Sequence, residues 1–446
     1  MASPEAREPE EGEPAAREPE AQESEPSAGQ RLLWFLDRYR GHDGALNCPM
    51  MCRIRGPLEL PVLRRSLEAV VSRHESLRSV FRGGGRNLRR LVRAAAPVEL
   101  RLRHLDHEPD PERALREAIA EELATRIDPT GSAFRVTLWR VADGDHVLCL
   151  NMHHLVTDSW SCGVVFQDLC ALLDRAHGSG AEPPPPGLPF GAFAEWQRVA
   201  LDGGELRGQQ EYWRDRLAGL TVEPLPTRNT PGERRTALVR RELDQDTVAA
   251  LREAARTGRS TLFSLLLTLY YAVLHRATGR TDLAVASLYA NRSRPELRRT
   301  VGFLANMVVL RTRLDPAAGV LDALRATHAT VTGAFLNQGV PYQLLPLREA
   351  QSQGARADDI VFQMLAEPVY STTAGGLDLE VLVPDGVGSR FELELVLVPH
   401  DKGFHVLLFY NQGRLDEKFA TELAERYVAA AERVSQNTGL PFDRIA

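Results

Sequence analysis

The chain has 446 residues, 43% of them hydrophobic and 26% charged, which excludes the disordered and fibrous classes and describes an ordinary globular protein. That length exceeds what one hydrophobic core organises, so two lobes are expected. The formal charge of −6 is concentrated in residues 1–26, where nine Glu stand against two Arg, and the near-neutral remainder offers no basic footprint for nucleic acid.

Residues 1–26 form a Pro/Glu tract in which AREPE occurs twice, at 6–10 and 16–20. Too few apolar side chains are present to offset ordering entropy, so the tract is expected to be a disordered, non-catalytic tail. A signal peptide begins basic, whereas this chain begins acidic, and no stretch reaches the roughly 18 apolar residues of a membrane span. A cytoplasmic protein without membrane contact is expected. The five cysteines, Cys48, Cys52, Cys149, Cys162 and Cys170, form no CxxC pair and are odd in number, which fits reduced, mostly buried thiols in that compartment.

From Ser27 the spacing becomes helical, with Leu32, Leu33 and Leu36 beside Trp34 and Phe35, and a stronger helix follows through Val62, Leu63, Leu67, Val70 and Val71. HVLCLNM (146–152) reads as a buried strand, and 160–175 returns to helical spacing through Val164, Val165, Leu169 and Leu172. AEPPPPGLP (181–189) continues neither element, because proline fixes φ and lacks a backbone donor; it reads as a surface crossing. Residues 260–274 predict a buried helix with Ser260 as its N-cap, 283–288 a core strand, and 393–398 and 404–409 neighbouring strands. Helices and strands mix throughout, so the expected fold is α/β in two lobes. The first, 27–190, carries a histidine pair; the second is 221–446; a linker and connecting helix over 191–220 joins them.

His153 and His154 lie where the predicted strand hands over to the predicted helix, and Asp158 follows four residues after the second. A loop held by two rigid elements is a suitable mount for a catalytic imidazole, which titrates near neutrality and can take a proton from an attacking amine or alcohol. Adjacent strand residues point to opposite faces, so one histidine is expected to be catalytic and the other structural. Buried, hydrogen-bonded histidines are common without catalysis, and the pair alone decides nothing. His153, His154 and Cys162 lack the spacing of a zinc set, and no metal is expected.

MHHLVTDSWS (152–161) resembles the HHxxxDG signature, with its trailing tryptophan and serine, of nonribosomal peptide synthetase condensation domains. SAGQRLLWFLD (27–37), RHESLRSVF (73–81), FAEWQR (193–198), YWRDRLAG (212–219), ANRSRPELRRTVGFLANMVVLR (290–311) and NQGVPYQLL (337–345) resemble that family's motifs in the same order, and SRFELEL and FYNQGRLD continue the likeness near the C-terminus. The resemblance implies two chloramphenicol acetyltransferase-like lobes arranged as a V-shaped pseudo-dimer around a central tunnel. It implies His154 as the general base or orienting group, His153 as a structural histidine, and an ion pair between Asp158 and Arg292 that holds the loop. Arg78 and Asn306 match supporting positions. Ser159, Trp160 and Ser161 open the following helix, where backbone N–H groups suit a developing oxyanion or the tunnel wall.

Departures from the family pattern are Ser159 in place of glycine, Ala305 and Met307 flanking the asparagine, and Asn337, Gly339 and Gln343 in the late motif. They leave the acceptor unread. The expected activity is formation of an amide or ester bond between an acyl group, carried as a phosphopantetheine thioester on a peptidyl or acyl carrier protein, and an amine or hydroxyl acceptor. The acceptor is a free small molecule or sits on a second carrier. The enzyme is expected to bind no cofactor of its own, and, with no adenylation or carrier motif in the sequence, to act in trans as a free-standing monomer. An O-acyltransferase of the HHxxxD type acting on a lipid or sugar alcohol is the alternative enzyme, although the plant-type DFGWG motif is missing. A non-catalytic recruitment module would be expected to lose His154, Asp158 or Arg292, and all three are present.

Overall fold

The computed structural model describes residues 22–39, 46–178, 180–222, 225, 235–347, 355–365, 371–382, 389 and 391–446. Two six-stranded sheets and a small three-stranded one carry the fold. In the first large sheet the strands run in the order Ser371–Ala374, Leu377–Val381, Asn47–Arg55, Asp145–His153, Phe134–Ala142, Leu100–His104. In the second the order is Asn306–Arg313, Asp282–Tyr289, Ile360–Met364, Leu393–His400, Gly403–Asn411, Thr236–Asp244. The mixed α/β expectation holds.

The strand Asp145–His153 is apolar at consecutive positions because both of its faces are covered. Leu148, Leu150 and Met152 join a core with Val62, Leu63, Leu67 and Val70 of the helix Leu60–Arg73 and with Val164, Val165 and Leu169 of the helix Ser159–Ala176. Val147 and Cys149 face the other way, against Trp139 and Leu115. A strand buried on both sides loses the usual alternation and reads as a continuous hydrophobic run. The second sheet packs on four helices, Gln245–Thr257, Leu262–Thr278, Val320–Leu336 and Glu417–Gln436, whose apolar faces form one large core with Val406 and Leu408 of the strand Gly403–Asn411. The helix Leu262–Thr278 is apolar all round and correspondingly buried.

Several expectations need correction. Gln22–Ser24 is not disordered: it pairs antiparallel with Arg90–Val92 at the edge of the small sheet, where ladder hydrogen bonds compensate its polar sequence. Residues 1–21 of the expected tail lie outside the described residues. The span 191–220 is more than a linker, since it forms two helices, Phe190–Asp202 and Arg207–Leu217, and the second buries Trp213 and Leu217 in the second-lobe core. The second lobe does not keep all of 221–446, because Leu377–Val381 pairs with Cys52–Arg55 and extends the first sheet. The long helix is capped by Thr261 instead of Ser260, for it is the Thr261 hydroxyl that accepts the Ser264 N–H, at 3.2 Å.

All five cysteines are free thiols, and Cys48 and Cys162 bring their sulfurs to 3.7 Å. Among the described residues no helix is long and apolar enough to cross a membrane. The surface crossing at 181–189 carries no regular structure but is pinned: Gly187 and Leu188 donate their N–H groups to the carbonyls of Arg299 and Glu296.

Candidate active site

The strand ends at His153 and the chain turns, Val156 N–H donating to the His153 carbonyl at 2.9 Å. His154 is therefore a turn residue, and the two rings separate. Its backbone N–H donates to Leu46 O at 2.8 Å, and its Nδ1 lies 3.3 Å from Thr157 O. A carbonyl only accepts, so Nδ1 carries a proton in that bond, and in the neutral ring the lone pair then falls to Nε2, the tautomer a proton acceptor requires. The His154 ring meets Phe303 edge-on, with centroids 6.0 Å apart. Phe303 lines a cleft of about 480 Å³, open to solvent, with Gly29, Asn306, Met307, Tyr342 and Gln343 among its other walls.

His153 is buried and committed to structure. Its Nδ1 accepts the Leu155 N–H at 3.0 Å and its Nε2 faces Asp37 Oδ1 at 3.5 Å. Burial alone would raise the Asp37 pKa; the hydrogen bonds from His153 and Arg126 outweigh it and hold the carboxyl down at about 2.

Asp158 caps the helix Ser159–Ala176 and is the most heavily bonded carboxylate of the site. It accepts from Arg292 at both oxygens, each at 2.9 Å, from the N–H and hydroxyl of Ser161, each at 2.8 Å, and from the N–H groups of Leu304 and Ala305, each at 3.0 Å. A buried charge is tolerable only when so satisfied. Burial pushes its pKa up, but the Arg292 charge and hydrogen bonds, followed by those of Ser161, hold it below the ordinary value. Arg292 also donates to Ala290 O, Thr300 O and Ser161 Oγ, so one guanidinium fastens the histidine loop to the 290–305 segment of the second lobe. A second buried carboxylate, Asp168, repeats the device further along the same helix, taking His74 Nε2 at 2.9 Å, Arg73 Nε at 3.1 Å, and Arg299.

Asn306 holds the late motif. Its Nδ2 donates to the carbonyls of Gln338 and Val340, and its Oδ1 accepts the Tyr342 N–H at 3.0 Å. Arg78 donates to Arg93 O, just past the strand Arg89–Val92, so the support it gives is to the end of the small sheet. The oxyanion expectation fails at Ser161: its N–H is taken by the Asp158 carboxylate, its hydroxyl lies between Asp158, Gly302 and Arg292, and the side chain is buried. Trp160 is 43% exposed and donates its indole N–H to Arg298 O, which makes it a clasp between lobes. Ser159 is exposed at the first turn of the helix. The zinc set His153, His154 and Cys162 is not assembled, because His153 turns to Asp37 while the Cys162 sulfur faces Cys48 and the Thr157 hydroxyl.

Two supporting residues went unassigned in the sequence. Gln30, buried, donates Nε2 to the Leu155 carbonyl at 2.7 Å and exchanges capping bonds with Ser27; Asp37 receives His153. The Ser-x-x-Gln spacing of a capping box was a readable signal for Ser27 and Gln30. Nothing local marks Asp37, whose partner lies 116 residues away.

A sequence model described as Condensation domain matches residues 21–446. Phosphinothricin tripeptide synthetase PhsC from Streptomyces viridochromogenes is 32% identical over 428 residues, which is 93% of this chain and 39% of that protein. Malpibaldin synthetase from Mortierella alpina is 31% identical over 445 residues, which is 95% of this chain and 8% of that protein. The chain thus spans well under half of these relatives. Among solved structures, the X-domain from teicoplanin biosynthesis superposes with a TM-score of 0.82 at 25% identity, covering 96% of this chain and 98% of that one. The SgcC5 protein from Streptomyces globisporus gives 0.80 at 25% identity, with coverage of 94% and 100%. Condensation domains of nonribosomal peptide synthetases work with carrier proteins. A match that runs from the first described strand to the last residue leaves one assignment: the chain belongs to the Condensation domain family, whose reaction is acyl transfer with bond formation.

Proposed function

We propose that this protein condenses an acyl group, delivered as a phosphopantetheine thioester on a carrier protein, with an amine acceptor. The acceptor nitrogen attacks the thioester carbonyl carbon, a C–N bond forms, the C–S bond breaks, and the proton leaving nitrogen passes through His154 Nε2 to the departing sulfur. Thiolate leaves readily, so alignment of the partners and transfer of one proton suffice. The observation that carries this reading is the His154 ring itself, with Nδ1 beside the Thr157 carbonyl, which leaves the lone pair of the neutral ring to Nε2, and with the ring packed against Phe303, a wall of the cleft. His153, Asp37, Gln30, Asp158 and Arg292 act as positioning residues for that ring. The enzyme itself supplies no cofactor; the phosphopantetheine arm arrives with the carrier.

The relative at 32% identity is named as a tripeptide synthetase, which favours an amide product. A second reading, an ester product, has a specific observation in its favour: the SgcC5 structure was solved with a naphthyl 1,2-ethanediol. Ala305, Met307 and Gln343, which depart from the family pattern, all line the cleft beside Phe303, so the acceptor is selected there.

The test is incubation of the purified protein with acyl-loaded carrier proteins and a panel of amines and alcohols, with products followed by mass spectrometry. Product is expected, with a loss of roughly a hundredfold or more in His154→Ala, the scale of general acid–base contributions. Amide or ester is read directly from product mass. Equal turnover by the variant would remove His154 from the mechanism, and carrier binding without turnover would make the protein a recruitment module.

A further inference from the structure

Remote from the histidine loop, three strands of the second sheet bring together side chains that the acyl transfer chemistry does not use. Glu242 on Thr236–Asp244 stands directly opposite His405 on Gly403–Asn411. His405 in turn stands opposite Val398, so His400, two residues further along the strand Leu393–His400, shares that face. The face is the one turned away from the large helix-covered core, since Val406 and Leu408 point to the core and His405 alternates with them. Each of the three side chains offers a ligand atom within 4.8 Å of the others. The two imidazoles stack with centroids 4.1 Å apart and planes inclined by 20°.

Stacked imidazoles facing a carboxylate are an uneasy arrangement by themselves. Among the described residues His400 Nε2 is shut off from solvent without a hydrogen-bond partner, and His405 Nδ1, also shut off, has only the Glu242 carboxylate, 3.3 Å away at Oε1. A desolvated nitrogen without a partner costs free energy. A cation shared between them answers both and is balanced by the Glu242 carboxylate, while Arg240 beside His405 opposes it. We propose that Glu242, His400 and His405 form a binding site for a divalent ion of the zinc class, which clips the edge strand Thr236–Asp244 to its two inner neighbours. Two imidazoles and one carboxylate are an ordinary zinc donor set, with water as the fourth ligand. Bond lengths of about 2.1 Å place ligand atoms roughly 3.4 Å apart, a contraction that side-chain torsions on three paired strands supply. The ion on His400 Nε2 moves the ring proton to Nδ1, where Asp401 Oδ1 waits at 3.5 Å; the 3.2 Å bond from the Lys402 N–H to Nδ1 gives way in the exposed turn. A carboxylate behind a ligating histidine is the usual orienting arrangement.

The full chain, freed of metal with a chelator and dialysed, would be titrated with zinc chloride by calorimetry, and cobalt(II) would be added separately to read the absorption bands of a tetrahedral nitrogen-bearing site. One ion per chain is expected, with the thermal unfolding midpoint rising on zinc addition. His400→Ala and His405→Ala are each expected to weaken binding by roughly tenfold or more and to abolish the thermal shift, with circular dichroism unchanged. Glu242→Gln, at an exposed edge position, serves if either histidine variant misfolds. His104→Ala, in the other stacked histidine pair, is expected to bind zinc as the parent does. Absence of stoichiometric binding, or equal affinity in the His400 and His405 variants, overturns the proposal.

Discussion

Removing the Arg292 guanidinium isolates the contribution of the Asp158 brace. In Arg292→Met the Asp158 carboxylate loses two charge-assisted hydrogen bonds at 2.9 Å while remaining buried. Four donors stay with it, the N–H and hydroxyl of Ser161 and the N–H groups of Leu304 and Ala305. Breaking one side of a buried pair costs about 3–5 kcal/mol, and the remaining donors place this case near the lower end, at about 3 kcal/mol. Adding Asp158→Asn to Arg292→Met removes the stranded charge while keeping an acceptor for the Ser161 N–H. The double variant is therefore expected to be more stable than Arg292→Met alone, with a coupling of at least about 1–2 kcal/mol. Urea unfolding followed by circular dichroism measures all four corners of the cycle. A cost below about 1 kcal/mol for Arg292→Met, or additive single losses, would mean that the pair behaves as a surface bridge and that the reasoning is wrong.

The depressed carboxyl of Asp37 links stability to acid. Its folded value of about 2 lies below the ordinary 3.8, so its contribution is complete above 3.8 and is lost as pH falls from there toward 2; urea midpoints from pH 5 to 2 should fall through that window, and less steeply in Asp37→Asn. Gly302, at φ +154°, leaves no room for a side chain, since a Cβ there would sit 2.0 Å from Phe190 Cδ2; Gly302→Ala is expected to cost about 1–3 kcal/mol in urea unfolding, as overpacking does, and to slow product formation by shifting the neighbouring Phe303 against His154.

What could be read from the sequence was what is local. The strand Asp145–His153 and the helix Ser159–Ala176 announce themselves because their apolar spacing is decided within a dozen residues. The partnership of Asp158 with Arg292 spans 134 residues and followed from family resemblance, since no pattern along the chain encodes it. Gln30 and Asp37 lie in the family-like segment 27–37, but no local pattern gave Asp37 a partner, and both acquire meaning from the helix Ala28–Tyr39 lying against the histidine turn. The pairing of Leu377–Val381 with Cys52–Arg55 was illegible for the same reason: a strand's alternation specifies a buried face and not the neighbour that supplies it. Ser161 misled in the opposite direction, because helix-start position suggested a free N–H where the capping carboxylate had already taken it.

The strands Ser371–Ala374 and Leu377–Val381 give the molecule the connectivity of a buckled belt. The chain leaves the first sheet through the helices Phe190–Asp202 and Arg207–Leu217, builds the second, and then sends this hairpin back to be hydrogen-bonded beside Asn47–Arg55 before returning to finish the second sheet. The first half therefore holds a piece of the second. A single cut in the backbone between the two helices would leave the halves laced together, and any widening of the cleft between them has to be accommodated by a paired ladder that twists before it unzips.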